Sequence, residues 1–154
     1  MLKYEGLFFD DEMTDLIHLL EEKRLPSVND ILHCTFKYHP SDEEIFNDLV
    51  GKTFTVYLVG YGNDGQNSGF ELILPDELKK YYINCDGQDS KVLTKPHITA
   101  SLAEDAKAVN TKNLNFIPLE NKVKLTGRFG YWIENETEEY VSYSPYPVKK
   151  KKLH

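Results

Sequence analysis

Residues 53–75, TFTVYLVGYGNDGQNSGFELILP, constrain the fold of this chain more than any other stretch. TFTVYLVGY alternates apolar and polar residues, the period of a half-buried strand. After the turn-forming run NDGQNSG, GFELILP provides a second strand that can pair back on the first. An antiparallel hairpin near the middle of the chain excludes an all-helical protein and calls for partner strands on either side. KYEGLFF (3–9) is one such strand, and PHITASL (96–102) is another. KVKLTGRFGYWI and EEYVSYS read as a late hairpin across residues 134–137.

Helices fit between these strands. Asp10 and Asp11 supply an N-cap and first-turn carboxylates, and Met13, Leu16, Ile17, Leu19 and Leu20 follow at helical spacing, so a helix is expected to fade near Arg24 before Pro26. LHCTFKY (32–38) is the next strand, closed by Pro40. Ser41 and the acids after it open a second helix, with Ile45, Phe46 and Leu49 buried and Gly51 as its stop. PDELKKYY from Pro75 predicts a short helix, residues 84–95 a loop, and residues 104–114 a helix only weakly. The expectation is a mixed α/β (α+β) fold in a single domain over residues 1–148. A disordered basic tail, 149–154, would follow.

Composition limits the partners. A chain of 154 residues can bury roughly two-thirds of its unfolded surface in one core. Its net charge of −7 argues against coating extended duplex nucleic acid through a broad basic face, while leaving room for a local phosphate site. The ten tyrosines suit base stacking as well as core filling. Cys34 and Cys85 form neither a disulfide framework nor a metal-spaced cluster. With no signal peptide and no apolar run of about 20 residues, a soluble cytoplasmic protein without membrane contact is expected.

Chemistry concentrates in two short segments. LHCTFKY and PHITASL each place a histidine and a threonine two residues apart within a strand. Side chains at i and i+2 share a face, so His33 points with Thr35, and His97 with Thr99, while Cys34 and Ile98 point to the core. Two such strands side by side would offer two imidazoles and two hydroxyls around one phosphate. Metal-free cleavage of a phosphodiester needs that inventory: a base for the attacking oxygen, an acid for the leaving oxygen, and fixed donors for the non-bridging oxygens. On pattern alone, two structural histidines satisfied within the sheet remain an equal alternative.

The arrangement resembles the 2H phosphoesterase superfamily, which includes 2′-5′ RNA ligase-like proteins, cyclic phosphodiesterases and viral enzymes that destroy cyclic oligonucleotide signals. The likeness lies in HCTF (33–36) and HITA (97–100), in YEGLFFDDEMTDLIHLLEEKR leading into LHCTFKY, and in the proline before the second histidine, KPHIT. It covers residues 4–38 and 95–102, with the middle matching in element order. The resemblance implies a bilobal fold in which two antiparallel sheets form a central cleft with helices outside and one motif in each lobe. It makes His33 and His97 the acid–base pair, and Thr35 and Thr99 the phosphate-orienting hydroxyls, with no metal or other cofactor. The implied substrate is a nucleotide or RNA end carrying a 2′,3′-cyclic phosphate or a 2′-5′ linkage. A cyclic oligonucleotide messenger is close behind, in a host-cell cytoplasm if the protein is viral, and a non-catalytic module for phosphorylated ligands or RNA is the rival class. Ala100, where a larger apolar residue is common, and the weak helix after Leu102 depart from the pattern.

Other residues carry less. Tyr4 on the first strand, and Tyr131 and Trp132 on the late hairpin, are candidates for the substrate wall, and Lys95 or Arg128 could add positive charge. His39 shares parity with His33, but Cys34 points away from both and Pro40 ends the strand, so no metal site is expected. His18 sits beside the apolar face of the first helix and reads as structural, and His154 as part of the tail.

Overall fold

The computed structural model describes residues 2–29, 31–86 and 95–144. It is mixed α+β and mostly antiparallel sheet: β1 (Leu2–Phe8), α1 (Asp11–Leu20), β2 (Ser27–Val28), β3 (His33–Tyr38), β4 (Thr53–Asn63), β5 (Asn67–Ile73), α2 (Asp76–Asp86), β6 (His97–Leu102), β7 (Ile117–Glu134) and β8 (Glu139–Ser142). Short 3-10 turns span Asp42–Glu44 and Ala108–Asn113.

Hydrogen bonding joins the strands in one path, β2-β6-β5-β4-β7-β1-β3, with β8 on β7. The two sheets expected from the resemblance are therefore not separated by a break in pairing. Setting aside β2, which adds a short strand beyond β6, the path nevertheless reads alike from both sides. On one side of the central β4–β7 pair, β1 leads through α1 to its antiparallel neighbour β3. On the other side, β5 leads through α2 to its antiparallel neighbour β6. β3 and β6 then pack beside one another without a backbone ladder, so the sheet curls until its two outer regions meet. Leu7, Phe9, Cys34, Phe36, Val56, Leu58, Phe70, Ile98 and Phe129 fill the core within the curl.

Local chemistry explains where the elements stop. Asp10 caps α1 by accepting the Met13 N–H at 2.9 Å. The helix ends at Leu20, before the expected Arg24, because the Glu21 carboxylate is drawn inward. Its Oε2 accepts the hydroxyls of Ser68 (2.7 Å) and Ser101 (2.6 Å), while Oε1 meets His18 Nδ1 at 2.7 Å. His18 is thus structural. The segment after Ser41 forms only a 3-10 turn, not the expected helix; Ile45 and Leu49 are still buried, and Gly51 turns the chain at φ +86°. α2 runs on to Asp86, into the stretch read as loop; residues 87–94 and the tail 149–154 lie outside the described residues. Among the described residues, no helix is long and apolar enough to cross a membrane.

Candidate functional site

Each His-x-Thr pair lies at the start of its strand with the anticipated parity. His33 and Thr35 are half-buried while Cys34 and Phe36 are buried, and His97 and Thr99 are half-buried while Ile98 and Ala100 are buried. The pairs approach each other where β3 packs on β6. Cys34 reaches the backbone of His97, and a charge on His97 is felt at His33. Burial pushes the Cys34 thiol up to about 12, which keeps it out of any nucleophilic role near neutral pH.

Two glycines set this geometry. Thr35 pairs with Gly6 on β1 and Thr99 pairs with Gly69 on β5, and each glycine stands at a register shift. A Cβ on Gly6 would lie 2.0 Å from the Cys34 carbonyl oxygen, and one on Gly69 2.6 Å from the Ile98 carbonyl oxygen. In both places the carbonyl belongs to the residue between the motif's histidine and threonine. Both glycines stand within stretches read as strands, and glycine there signals close backbone approach. That signal could have found them, but their partners were invisible without the register.

The histidines are held differently. His97 Nδ1–H donates to the Lys95 carbonyl at 2.8 Å, which assigns Nε2 as the basic nitrogen of the neutral ring. The Ile31 carbonyl occupies the same i−2 position for His33 and favours its protonation, yet among the described residues no well-formed hydrogen bond reaches the buried Nδ1. His33 is packed by rings instead: Tyr4 stacks on it at 4.4 Å between centroids, and Phe8 lies 5.6 Å away. Burial, with a smaller push from His97, lowers the His33 pKa to about 4. The Thr99 and Thr111 hydroxyl oxygens lie 2.7 Å apart, whereas Thr35 has no hydrogen bond to its side chain among the described residues.

Tyr4 and Trp132 are cross-strand partners, stacked 7° from parallel with centroids 6.0 Å apart. They line a groove of about 600 Å³ with Lys3, Val28, Asn29, Ile31, Glu134 and Glu139. Burial holds the Tyr4 phenol well above its ordinary pKa, so it stays neutral. Tyr131 does not belong to this wall. It faces the opposite side of β7, is fully buried, and donates its hydroxyl to the Ser144 carbonyl. Lys95 is exposed and pairs with Glu71 at 3.8 Å, beside His97. Arg128 is engaged by the Gly51 carbonyl and the Tyr143 ring. His39 is exposed on a left-handed turn (φ 49°), and among the described residues no cluster of three or more His, Cys, Asp or Glu could hold a metal ion. The chain matches no family model and no curated protein.

Proposed function

We propose that the protein is a phosphodiesterase of the 2H type, acting on a nucleotide or RNA phosphodiester through His33 and His97 without a metal. The observation that carries this reading is the meeting of two topologically equivalent His-x-Thr strands, each opposite a bulge glycine, where the ends of the curled sheet approach each other. In this reading the halves on either side of β4–β7 are the two lobes of a bilobal fold.

His33, kept neutral by its low pKa, removes the proton from the attacking water or ribose hydroxyl as the new P–O bond forms. His97 gives a proton from Nε2 to the leaving oxygen as the old P–O bond breaks. Thr35 and Thr99 donate to the non-bridging oxygens, where charge develops. The groove beside His33 is wide enough for a nucleoside, and its Tyr4 and Trp132 rings would stack the base. A 2′,3′-cyclic phosphate or 2′-5′ linkage is the first substrate class, and a cyclic oligonucleotide is the second.

The test is a panel of 2′,3′-cyclic nucleotides, 2′-5′ oligonucleotides and cyclic oligonucleotides, assayed with a chelator present. The wild type should cleave at least one class, and His33→Ala and His97→Ala should each lose ~10²–10⁴-fold in kcat while keeping the wild-type melting profile. Wild-type turnover in either variant removes that histidine from the chemistry. Tight binding without turnover by the wild type would instead make the cleft a ligand-binding module.

A further inference from the structure

Glu21 is the C-cap of α1, yet its carboxylate lies in the other half of the molecule. Its side chain is fully buried, and Oε2 accepts the hydroxyls of Ser68 on β5 (2.7 Å) and Ser101 on β6 (2.6 Å). A buried carboxylate is costly unless it is paired and hydrogen-bonded. Here Oε1 completes the set, meeting His18 Nδ1 at 2.7 Å with Arg24 Nε at 3.7 Å.

Ser68 and Ser101 face each other across the ladder, and the next rung joins Gly69 to Thr99, so Ala100 is the extra residue of a bulge. One oxygen that accepts both hydroxyls is a staple across β5 and β6 at the rung where the register shifts. It fixes which residue of β6 meets Gly69; a slip of one residue would turn Thr99 to the other face. In the first half the equivalent rung is Glu5 opposite Lys37, and there Lys37 is bound by Glu44 from the turn that follows β3. In the second half the acid comes across from the first.

The chain that leaves Glu21 stays on the second half. The Lys23 carbonyl accepts from Asn63 Nδ2 at 3.0 Å, the Leu25 N–H donates to Ser101 Oγ at 2.9 Å, and Ser27–Val28 pair with β6 as β2. Ser101 therefore gives its proton to Glu21 and accepts the strap on its lone pair. Residues 29–32 alone then separate Val28 from His33. β3 makes no backbone ladder with β6; β2, just ahead of it in the chain, does.

We infer that Glu21 is a positioning residue for the two-histidine site: from the first half it staples the Thr99 bulge of the second, and it anchors the strap 21–28 that delivers His33 beside His97. The catalytic consequence rests on the phosphodiesterase reading. The placement of the two histidines does not.

Two comparisons test the staple. Charge on His97 is felt at His33, so His97→Gln should raise the His33 midpoint in an NMR titration of the imidazole Cε1–H. In a Glu21→Ala background the same substitution should raise it by about half as much or less, because the interaction weakens as the histidines separate and water enters between them. Equal rises in both backgrounds overturn the proposal, whatever the activity. The second comparison is kinetic, at a temperature where circular dichroism shows each variant fully folded. On 2′,3′-cyclic AMP, or the first diester in the panel that the wild type cleaves, Glu21→Ala should lose roughly 10–100-fold in kcat, the effect of misplacing reacting groups by about 1 Å. Glu21→Gln keeps an oxygen for the two hydroxyls and should stay close to the wild-type rate. A residue that only stabilises the fold would lower the melting temperature and leave both kcat and the coupling unchanged. Wild-type kcat in Glu21→Ala, or equal losses in Glu21→Ala and Glu21→Gln, therefore overturns the proposal. If Glu21→Ala does not fold, Ser101→Ala removes one arm of the staple in its place, and equal rises or wild-type kcat in that variant overturn the proposal. A wild type inert to every diester overturns the phosphodiesterase reading; the titration needs no substrate and still decides whether Glu21 sets the approach of the two histidines.

Discussion

The two halves of the site share a backbone plan and differ in what surrounds it. Around His97 and Thr99 the neighbours are polar: the Lys95 carbonyl, Glu71 opposite the histidine, and the Thr111 hydroxyl. Around His33 they are aromatic: Phe8 opposite the histidine, and Tyr4 over its face. A ring held by a hydrogen bond keeps a defined tautomer, whereas a ring packed among other rings is costly to charge. A shared plan with opposite surroundings thus gives two like residues different environments, the difference on which the proposed acid–base pairing relies.

The sharpest way to break the shared plan is at its glycines. Gly6→Ala drives a Cβ to 2.0 Å from a backbone oxygen, and Gly69→Ala to 2.6 Å from one and 2.6 Å from Thr111 Cγ2. Neither overlap can be relieved by rotating a side-chain tip at the backbone contact, so each should destabilise by about 3 kcal/mol or more in urea titration, Gly6→Ala the more severely. Indifference to Gly6→Ala would mean that β1 and β3 are not in this register.

A second comparison concerns the residue just before each glycine. The second half has Ser68 there, bonded to Glu21; the first has Glu5, fully buried, with Oε1 unpartnered among the described residues and Oε2 accepting the Phe46 N–H at 3.3 Å. Burial raises the Glu5 pKa to about 7, partly offset by the Phe46 N–H and Lys37. The folded state therefore binds the Glu5 proton more tightly than the unfolded state. This contribution to stability is complete below about pH 4.5 and is lost as pH rises through 7. His33 acts in the opposite sense: its contribution is complete above about pH 6.5 and is lost as pH falls through about 4. Each effect is on the order of 3 kcal/mol, and between pH 4.5 and 6.5 the two slopes oppose. In Glu5→Gln, urea midpoints should rise from pH 4 to 6.5 and then stay flat, with the variant gaining most over wild type near pH 8. A wild-type-like decline above pH 6.5 would place the titration elsewhere.

The smallest of these effects isolates the ring packing itself. Tyr4→Ala admits water to His33, which lowers the penalty on the charged form and moves its pKa from about 4 back toward 6.5, by about one unit. An NMR titration of the imidazole Cε1–H checks this. In wild type, the acid limb of kcat/KM should follow the His33 midpoint; a limb near 6.5 would deny His33 the role of base.

Much of this was readable from the chain because side-chain parity in a strand is local. The faces of His33, Thr35, His97 and Thr99, and the burial of Cys34 and Ile98, follow from a period of two. The Asp10 cap and the Asn63–Asn67 turn were legible for the same reason. Tyr131 was misplaced because neighbouring aromatics on β7 point to opposite faces, and only the register with β1 and β8 shows which one reaches the groove. The helix after Ser41 failed because burying Ile45 and Leu49 and keeping the Phe46 N–H on Glu5 outweighed the local preference for helix. Thr111 was beyond reach: nothing in a polar, weakly helical stretch indicates that one hydroxyl will be buried opposite a glycine more than 40 residues earlier.

The inward-turned Glu21 bears on when this protein becomes competent. Its carboxylate joins the end of α1 to Ser101, 80 residues away, and β3 and β6 meet across a path of four intervening strands. Contacts of such long range close late and slowly, because the loop entropy is lost before they form. In a refolding time course, secondary structure should therefore return first and, on the proposed phosphodiesterase reading, hydrolysis last, with partly folded chains holding both motifs but no site.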